Sequence, residues 1–199
     1  MKKIFVLLIV SGFITMSFSP LGGISDEERN AAIKHLTKTK AALLKQVKGL
    51  SEEQLNFKPD ADTWSVAECV EHIAITEGNL SGLIQMTLKN SNEPEKEKVS
   101  DEMVLKIITD RSNKVKTNEQ SIPKNSFGSY QGSLKGFKAK REDLLKYVKS
   151  TQDDLHDHYF DFPFGATDGY QIILFISGHC ERHTAQIAEV MAHPNFPKK

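Results

Sequence analysis

At 199 residues the chain is long enough for one domain with a real hydrophobic core. Its 26 basic and 26 acidic residues balance, which removes the electrostatic case for a nucleic-acid partner. Two cysteines are too few for a disulfide scaffold, and 39% hydrophobic with 26% charged residues is an ordinary globular mixture.

The first segment stands apart from that mixture. Met1-Lys2-Lys3 is a short positive start, Ile4 to Val10 is an unbroken apolar run, and small and apolar residues follow to Ser19. This pattern predicts a secretory signal peptide over residues 1–19, with no clear cleavage site. The apolar run falls short of the roughly 20 residues a membrane span needs. Export to the periplasm or the extracellular space is therefore expected, without stable membrane insertion after processing. An uncleaved anchor is the alternative.

Ser25-Asp26-Glu27-Glu28 reads as a capping box that opens a first helix. Ala32, Ile33, Leu36, Leu43, Leu44 and Val47 recur at helical spacing, and Gly49 suits the end. Ser51-Glu52-Glu53-Gln54 caps a short turn, and Asn56 to Thr63 reads as a loop. Ser65-Val66-Ala67-Glu68 is a second full capping box, opening a helix to about Asn90 with His72 at the border of its apolar face. A polar connector follows, and then a weaker helix from Ser100 to about Glu119, with Met103, Val104, Ile107, Ile108 and Val115 as its buried side. Ser121 to Gly132 reads as a loop, and Ser133 to Ser150 as another helix. Gln152 to Gly169 is a long connection rich in aromatics, a length and composition that imply it folds onto the helices. The last helix runs from near Asp168 to about Ala192, where Pro194 ends it. No stretch shows strand alternation. The expected fold is all-α: a four-helix bundle with one additional weaker helix and long crossover loops.

Chemistry concentrates in the last helix, at His179-Cys180-Glu181-Arg182-His183. Residues four apart on a helix differ by about 40° of rotation and one turn of rise, so both rings can face one point. A divalent metal needs imidazole nitrogens at about 2.0–2.1 Å and more than two ligands for tight binding. His72, on a helix that can face the last one, is the best third ligand.

The segment Pro59-Asp60-Ala61-Asp62-Thr63-Trp64-Ser65-Val66-Ala67-Glu68 with His72, followed at this distance by His179-Cys180-Glu181-Arg182-His183-Thr184-Ala185-Gln186-Ile187, resembles the paired signatures of the DinB-like superfamily. Phe162-Pro163-Phe164-Gly165 and the ending His193-Pro194-Asn195-Phe196-Pro197 are also similar to it, so the likeness covers roughly residues 25 to 197. The resemblance implies a four-helix bundle with one metal held by His72, His179 and His183. It also implies a small-molecule substrate. Characterised relatives include thiol-dependent transferases and an isomerase. Such thiol cofactors are cytosolic, so the leader read at residues 1–19 counts against transfer and raises metal-dependent hydrolysis or simple binding. The expectation is an exported metal-dependent enzyme whose ion activates water or a thiol, of hydrolase or S-transferase type. Imidazole ligation suits Zn²⁺ or Ni²⁺ best, with Mn²⁺ or Fe²⁺ as further options. A homodimer is compatible with this reading. A bundle that binds metal or a small ligand without catalysis is the alternative.

Neighbouring residues carry quieter expectations. Cys69 and Cys180 read as small buried hydrophobes before a disulfide or a thiolate ligand. Glu68 is the capping partner, and Glu71 and Glu77 read as solvated, with a contact to an imidazole as the other option. Gln186 is divided between a ligand contact and a helix contact, and Arg182 reads as an ion-pairing residue. Trp64 is an anchor for packing, and His156 and His158 belong to a hydrated polar loop. His35 and His193 take no role, and no general base stands out.

Overall fold

The computed structural model describes residues 23–112 and 115–198. The leader read at residues 1–19 lies outside the described residues. Among the described residues six helices form in chain order: α1 (Asp26–Gln46), α2 (Glu52–Asn56), α3 (Val66–Thr87), α4 (Asp101–Thr109), α5 (Tyr130–Ser150) and α6 (Gly169–Met191). A 3₁₀ turn lies at Glu119–Ser121, and a hairpin of β1 (Tyr159–Phe162) and β2 (Gly165–Asp168) precedes α6. The chain is mostly helical, as the apolar spacing implies.

The helix starts obey their caps. Ser25, Ser51 and Ser65 each accept the backbone N–H three residues on, and Glu28, Gln54 and Glu68 each reach back to the cap N–H. Asp168 and Gln171 make the same reciprocal box at the start of α6. Each box satisfies backbone donors that a helix start otherwise leaves without partners.

The four long helices pack in the cyclic order α1–α5–α3–α6, with α1 diagonal to α3, and α4 lies on the outside of α6. Successive helices therefore do not simply lie side by side, and long connections cross the ends. The interior has two apolar layers. One gathers Leu36, Ile84, Leu144 and Ile176, and the other Leu43, Val70, Phe137 and Ile187. Between them runs a polar layer built from all four helices. Arg141 of α5 makes a two-pronged pair with Glu77 of α3, and donates to Leu36 O at 2.7 Å and Thr39 Oγ1 at 2.9 Å on α1. Thr39 in turn meets Ser177 of α6 at 3.3 Å.

Three sequence expectations change. The weaker helix stops at Thr109 instead of about Glu119. Only Val104 and Ile108 of its expected face are buried, while Met103, Ile107 and Val115 are 44%, 36% and 77% exposed. The contact is narrow because α4 docks through Ile108 at Gly178, where a Cβ would stand 2.3 Å from Ile108 Cγ2. The aromatic connection forms an antiparallel hairpin with Phe162 opposite Gly165, and Gly165 takes φ +134°. Its strand pattern is hidden because Tyr159 is buried and Phe160 and Phe162 also pack on the core. Glu71 and Glu77, read as solvated, are only 7% and 2% exposed.

Candidate metal centre

His72 projects from the second turn of α3, and His179 and His183 project one turn apart from α6. These two helices pack against each other. One potential ligand atom from each ring lies within 4.8 Å of the other two. Ring centroids are 5.0 Å apart for His72–His179, and 4.5 Å for both His72–His183 and His179–His183. Among the described residues no other group of three or more His, Cys, Asp or Glu side chains is so gathered. The single geometric expectation drawn from the sequence, three rings meeting from two helices, holds.

The outer face of each ring is occupied by an oxygen. His72 Nδ1 donates to the Ser121 carbonyl at 2.7 Å, and since a carbonyl can only accept, the neutral ring keeps its lone pair on Nε2. His183 Nδ1 lies 2.8 Å from Gln186 Oε1, which places its lone pair on Nε2 as well. His179 Nδ1 lies 3.3 Å from Thr76 Oγ1, and its Nε2 lies 3.1 Å from His72 Nε2. With His72 Nε2 accepting, His179 Nε2 carries the proton between them. It can instead carry that proton on Nδ1, where Thr76 accepts it, because the Thr76 hydroxyl can donate to His72 O at 2.8 Å. Two rings thus present fixed Nε2 lone pairs, and the third can present one by changing tautomer.

Electrostatics keep the rings neutral. Burial lowers the pKa of His72 against the raising effect of Ser121. Burial, then the other two rings and Arg182, hold His179 well below the ordinary histidine value. Burial, then His72, pushes His183 down to about 3. Neutral imidazoles with inward lone pairs and hydrogen-bonded outer nitrogens are the donor set a divalent ion requires. Nitrogens of a tetrahedral ion stand about 3.3 Å apart at metal distances of 2.0–2.1 Å, close to the 3.1 Å observed between His72 and His179 Nε2. The residues present fit such an ion.

Aromatic walls border the rings. Trp64, just before the α3 cap, lies 4.7 Å from His72 and 6.0 Å from His183 between ring centroids. Phe175, one turn before His179, lies 6.3 Å from it and stacks nearly parallel with Phe162 and Phe164 of the hairpin. Trp64 therefore does more than anchor packing: it covers two of the three rings.

The remaining expectations sort clearly. Cys69 and Cys180 are free and buried, and burial raises their thiols to about 12 and about 11, so neither is a ready thiolate. Glu71 and Glu77 touch no imidazole: Glu71 accepts from backbone N–H groups of the 124–126 loop, and Glu77 pairs with Arg141. Arg182 donates to the Asp110 carbonyl. His156 lies 3.1 Å from Asp168 and His158 2.8 Å from Asn90 O, so the two do not share a site. His193 packs on Phe57 at 5.5 Å. Thr76, Ser121 and Phe175 escape the sequence reading. Thr76 has a signal in hindsight, since it stands one turn beyond His72, whereas a backbone carbonyl such as that of Ser121 leaves none.

Comparison with known proteins agrees with this architecture. Residues 35–187 match the family model described as the DinB superfamily. The protein YuaE of Bacillus subtilis (strain 168), itself uncharacterised, is 30% identical over 146 residues, covering 73% of this chain and 88% of that protein. Among solved structures, YfiT from Bacillus subtilis superposes with a TM-score of 0.51 at 18% identity, over 87% of this chain and 91% of that one. YfiT is described as a probable metal-dependent hydrolase with an unusual four-helix bundle topology. At that identity the likeness speaks for the fold.

Proposed function

This chain belongs to the DinB superfamily, and from that premise we propose that it is a metal-dependent hydrolase acting on a small molecule, with His72, His179 and His183 as the metal ligands. One observation carries the reading: every ring has an oxygen partner at Nδ1, one ligand nitrogen from each ring lies within 4.8 Å of the other two, and His72 and His179 meet through Nε2 at 3.1 Å. Histidines that merely met their hydrogen bonds in the core would need oxygen partners too, but not a ring nitrogen from each gathered at one point. Zn²⁺ or Ni²⁺ suits three imidazoles best. Such an ion, when bound, supplies a Lewis acid that polarises a substrate oxygen and lowers the pKa of a water.

The chain's own groups do the rest. The Ser121 carbonyl and Gln186 hold protons on Nδ1 of His72 and His183, and the Thr76 hydroxyl can accept a hydrogen bond from Nδ1–H of His179 once that ring turns its Nε2 lone pair to an ion. Trp64 and Phe175 limit water around the rings and strengthen electrostatic interactions there. Export by a leader at residues 1–19 is part of this proposal, and it would separate the site from cytosolic thiol cofactors, which supports hydrolysis over thiol transfer.

A second reading, a metal- or ligand-binding bundle without turnover, is favoured by a different observation: among the described residues no carboxylate is gathered with the three rings to serve as general base. The test is turnover of ester, amide and phosphoester panels, beside a thiol plus an electrophile, by chelator-stripped and Zn²⁺- or Ni²⁺-reloaded protein. Hydrolysis that returns with metal and is absent in His179→Ala supports the proposal. Metal binding without any turnover supports the binding module, and hydrolysis indifferent to chelation overturns both.

A further inference from the structure

Glu71 precedes His72 on α3, yet its carboxylate turns away from the three rings. Its Oε1 accepts the backbone N–H of Lys124 at 3.0 Å and of Ser126 at 2.6 Å. Between those donors Asn125 takes φ +59°, in the left-handed region that asparagine tolerates better than most residues. Alternating right- and left-handed backbone turns successive N–H groups toward one side and makes a concavity for an anion. The anion here is a buried side chain of the protein itself, 7% exposed.

The gripped segment also carries Ser121, whose carbonyl receives the His72 Nδ1 proton at 2.7 Å. Asn118 caps the 3₁₀ turn behind it, with Oδ1 accepting from Ser121 N–H at 3.0 Å. Two adjacent α3 residues thus hold one loop at two points, Glu71 at 124–126 and His72 at 121. Only the second contact touches a ring, and it decides which nitrogen keeps the lone pair. A free neutral imidazole favours the proton on Nε2, the nitrogen that must be bare to bind a metal.

We propose that Glu71 is a positioning residue for the metal centre: by clamping the 124–126 backbone it keeps the Ser121 carbonyl on His72 Nδ1, and so keeps His72 Nε2 facing His179 and His183. Its effect on metal affinity rests on the three-histidine reading above. Its effect on the His72 tautomer rests on the loop alone. A carboxylate that served only to tether the loop for folding would change stability and leave both unchanged.

The experiment compares the full chain with Glu71→Ala, Asn125→Val and Glu68→Ala. Asn125→Val loosens the left-handed turn without touching the carboxylate, and covers the case in which Glu71→Ala fails to fold. Glu68→Ala removes a capping-box acceptor on the same helix and serves as a control for general destabilisation. Long-range ¹H–¹⁵N imidazole spectra of metal-free protein report the His72 tautomer, and competition with a chromophoric chelator reports Zn²⁺ affinity. The expected result is an Nδ1–H His72 in the unmodified chain and in Glu68→Ala, and a shift toward Nε2–H in the other two. Zn²⁺ affinity should fall about tenfold or more in those two, the scale seen when an outer partner of a ligand is lost. An unshifted tautomer, or unchanged Zn²⁺ affinity, in Glu71→Ala overturns the proposal. If the unmodified chain binds no Zn²⁺, the three-histidine reading fails, and the tautomer alone then decides whether the clamp exists.

Discussion

Arg141→Met tests the polar layer that divides the core. The Arg141 and Glu77 side chains are 0% and 1% exposed, and the guanidinium also donates to Leu36 O and Thr39 Oγ1. Methionine matches much of the volume but leaves the Glu77 carboxylate buried without its cation. Breaking a buried pair in this way costs about 3–5 kcal/mol, largely the penalty of the stranded charge. The variant has a signature that cavity formation lacks. Burial already pushes the Glu77 carboxyl up and Arg141 opposes that push, so removing Arg141 raises it further. A carboxyl whose folded pKa lies above its unfolded value stabilises the fold while protonated, and that contribution is lost as pH rises through the folded value. Urea unfolding of Arg141→Met should therefore show the larger deficit at pH 8 and a smaller one at pH 5. Adding Glu77→Leu should recover most of the loss, because an apolar pair of similar volume can replace a buried ion pair at little cost. A deficit below about 1 kcal/mol with no pH dependence would refute the reasoning.

Three further outcomes follow from the coordinates. His156 lies 3.1 Å from Asp168 and 3.3 Å from Glu28, and the Asp168 contact raises its pKa above the ordinary value against burial and Lys98. The stability it adds is complete below about pH 6.5 and is lost as pH rises through the raised folded value, so His156→Gln should flatten the urea midpoint in that window. Gly178→Ala places a methyl 2.3 Å from Ile108 Cγ2 and should cost about 1–3 kcal/mol by calorimetry, with Ile108→Ala partly relieving it. Trp64 is the one tryptophan of the chain and lies against His72 and His183, so Co²⁺ should quench its fluorescence in the unmodified protein and not in His183→Ala.

What the sequence discloses and conceals follows physical range. The boxes at Ser25, Ser51 and Ser65 are local, each closing over three residues, and all form as the residues imply. The His179–His183 pair is equally local. His72 joins it across 107 residues, and only the order and distance of the two signature segments point to that meeting. Long-range polar partners are silent. Glu77 finds Arg141 at a separation of 64 residues and Glu71 finds Lys124 at 53, so both look like surface acids until the chain is folded. Apolar content misleads in the opposite sense at α4, where Met103 and Ile107 sit beside the docking stripe of Val104 and Ile108 and stay exposed. The hairpin hides because its residues use both faces: Tyr159 is buried, and Phe162 stacks on Phe175 at 5.0 Å.

X-ray absorption of the full chain loaded with one equivalent of Zn²⁺ examines the three histidines as ligands most directly. The expected first shell has three imidazole nitrogens at about 2.0–2.1 Å and one light-atom neighbour, falling to two imidazoles in His72→Ala. A sulfur neighbour from Cys69 or Cys180, or an imidazole count unchanged by His72→Ala, would contradict the account.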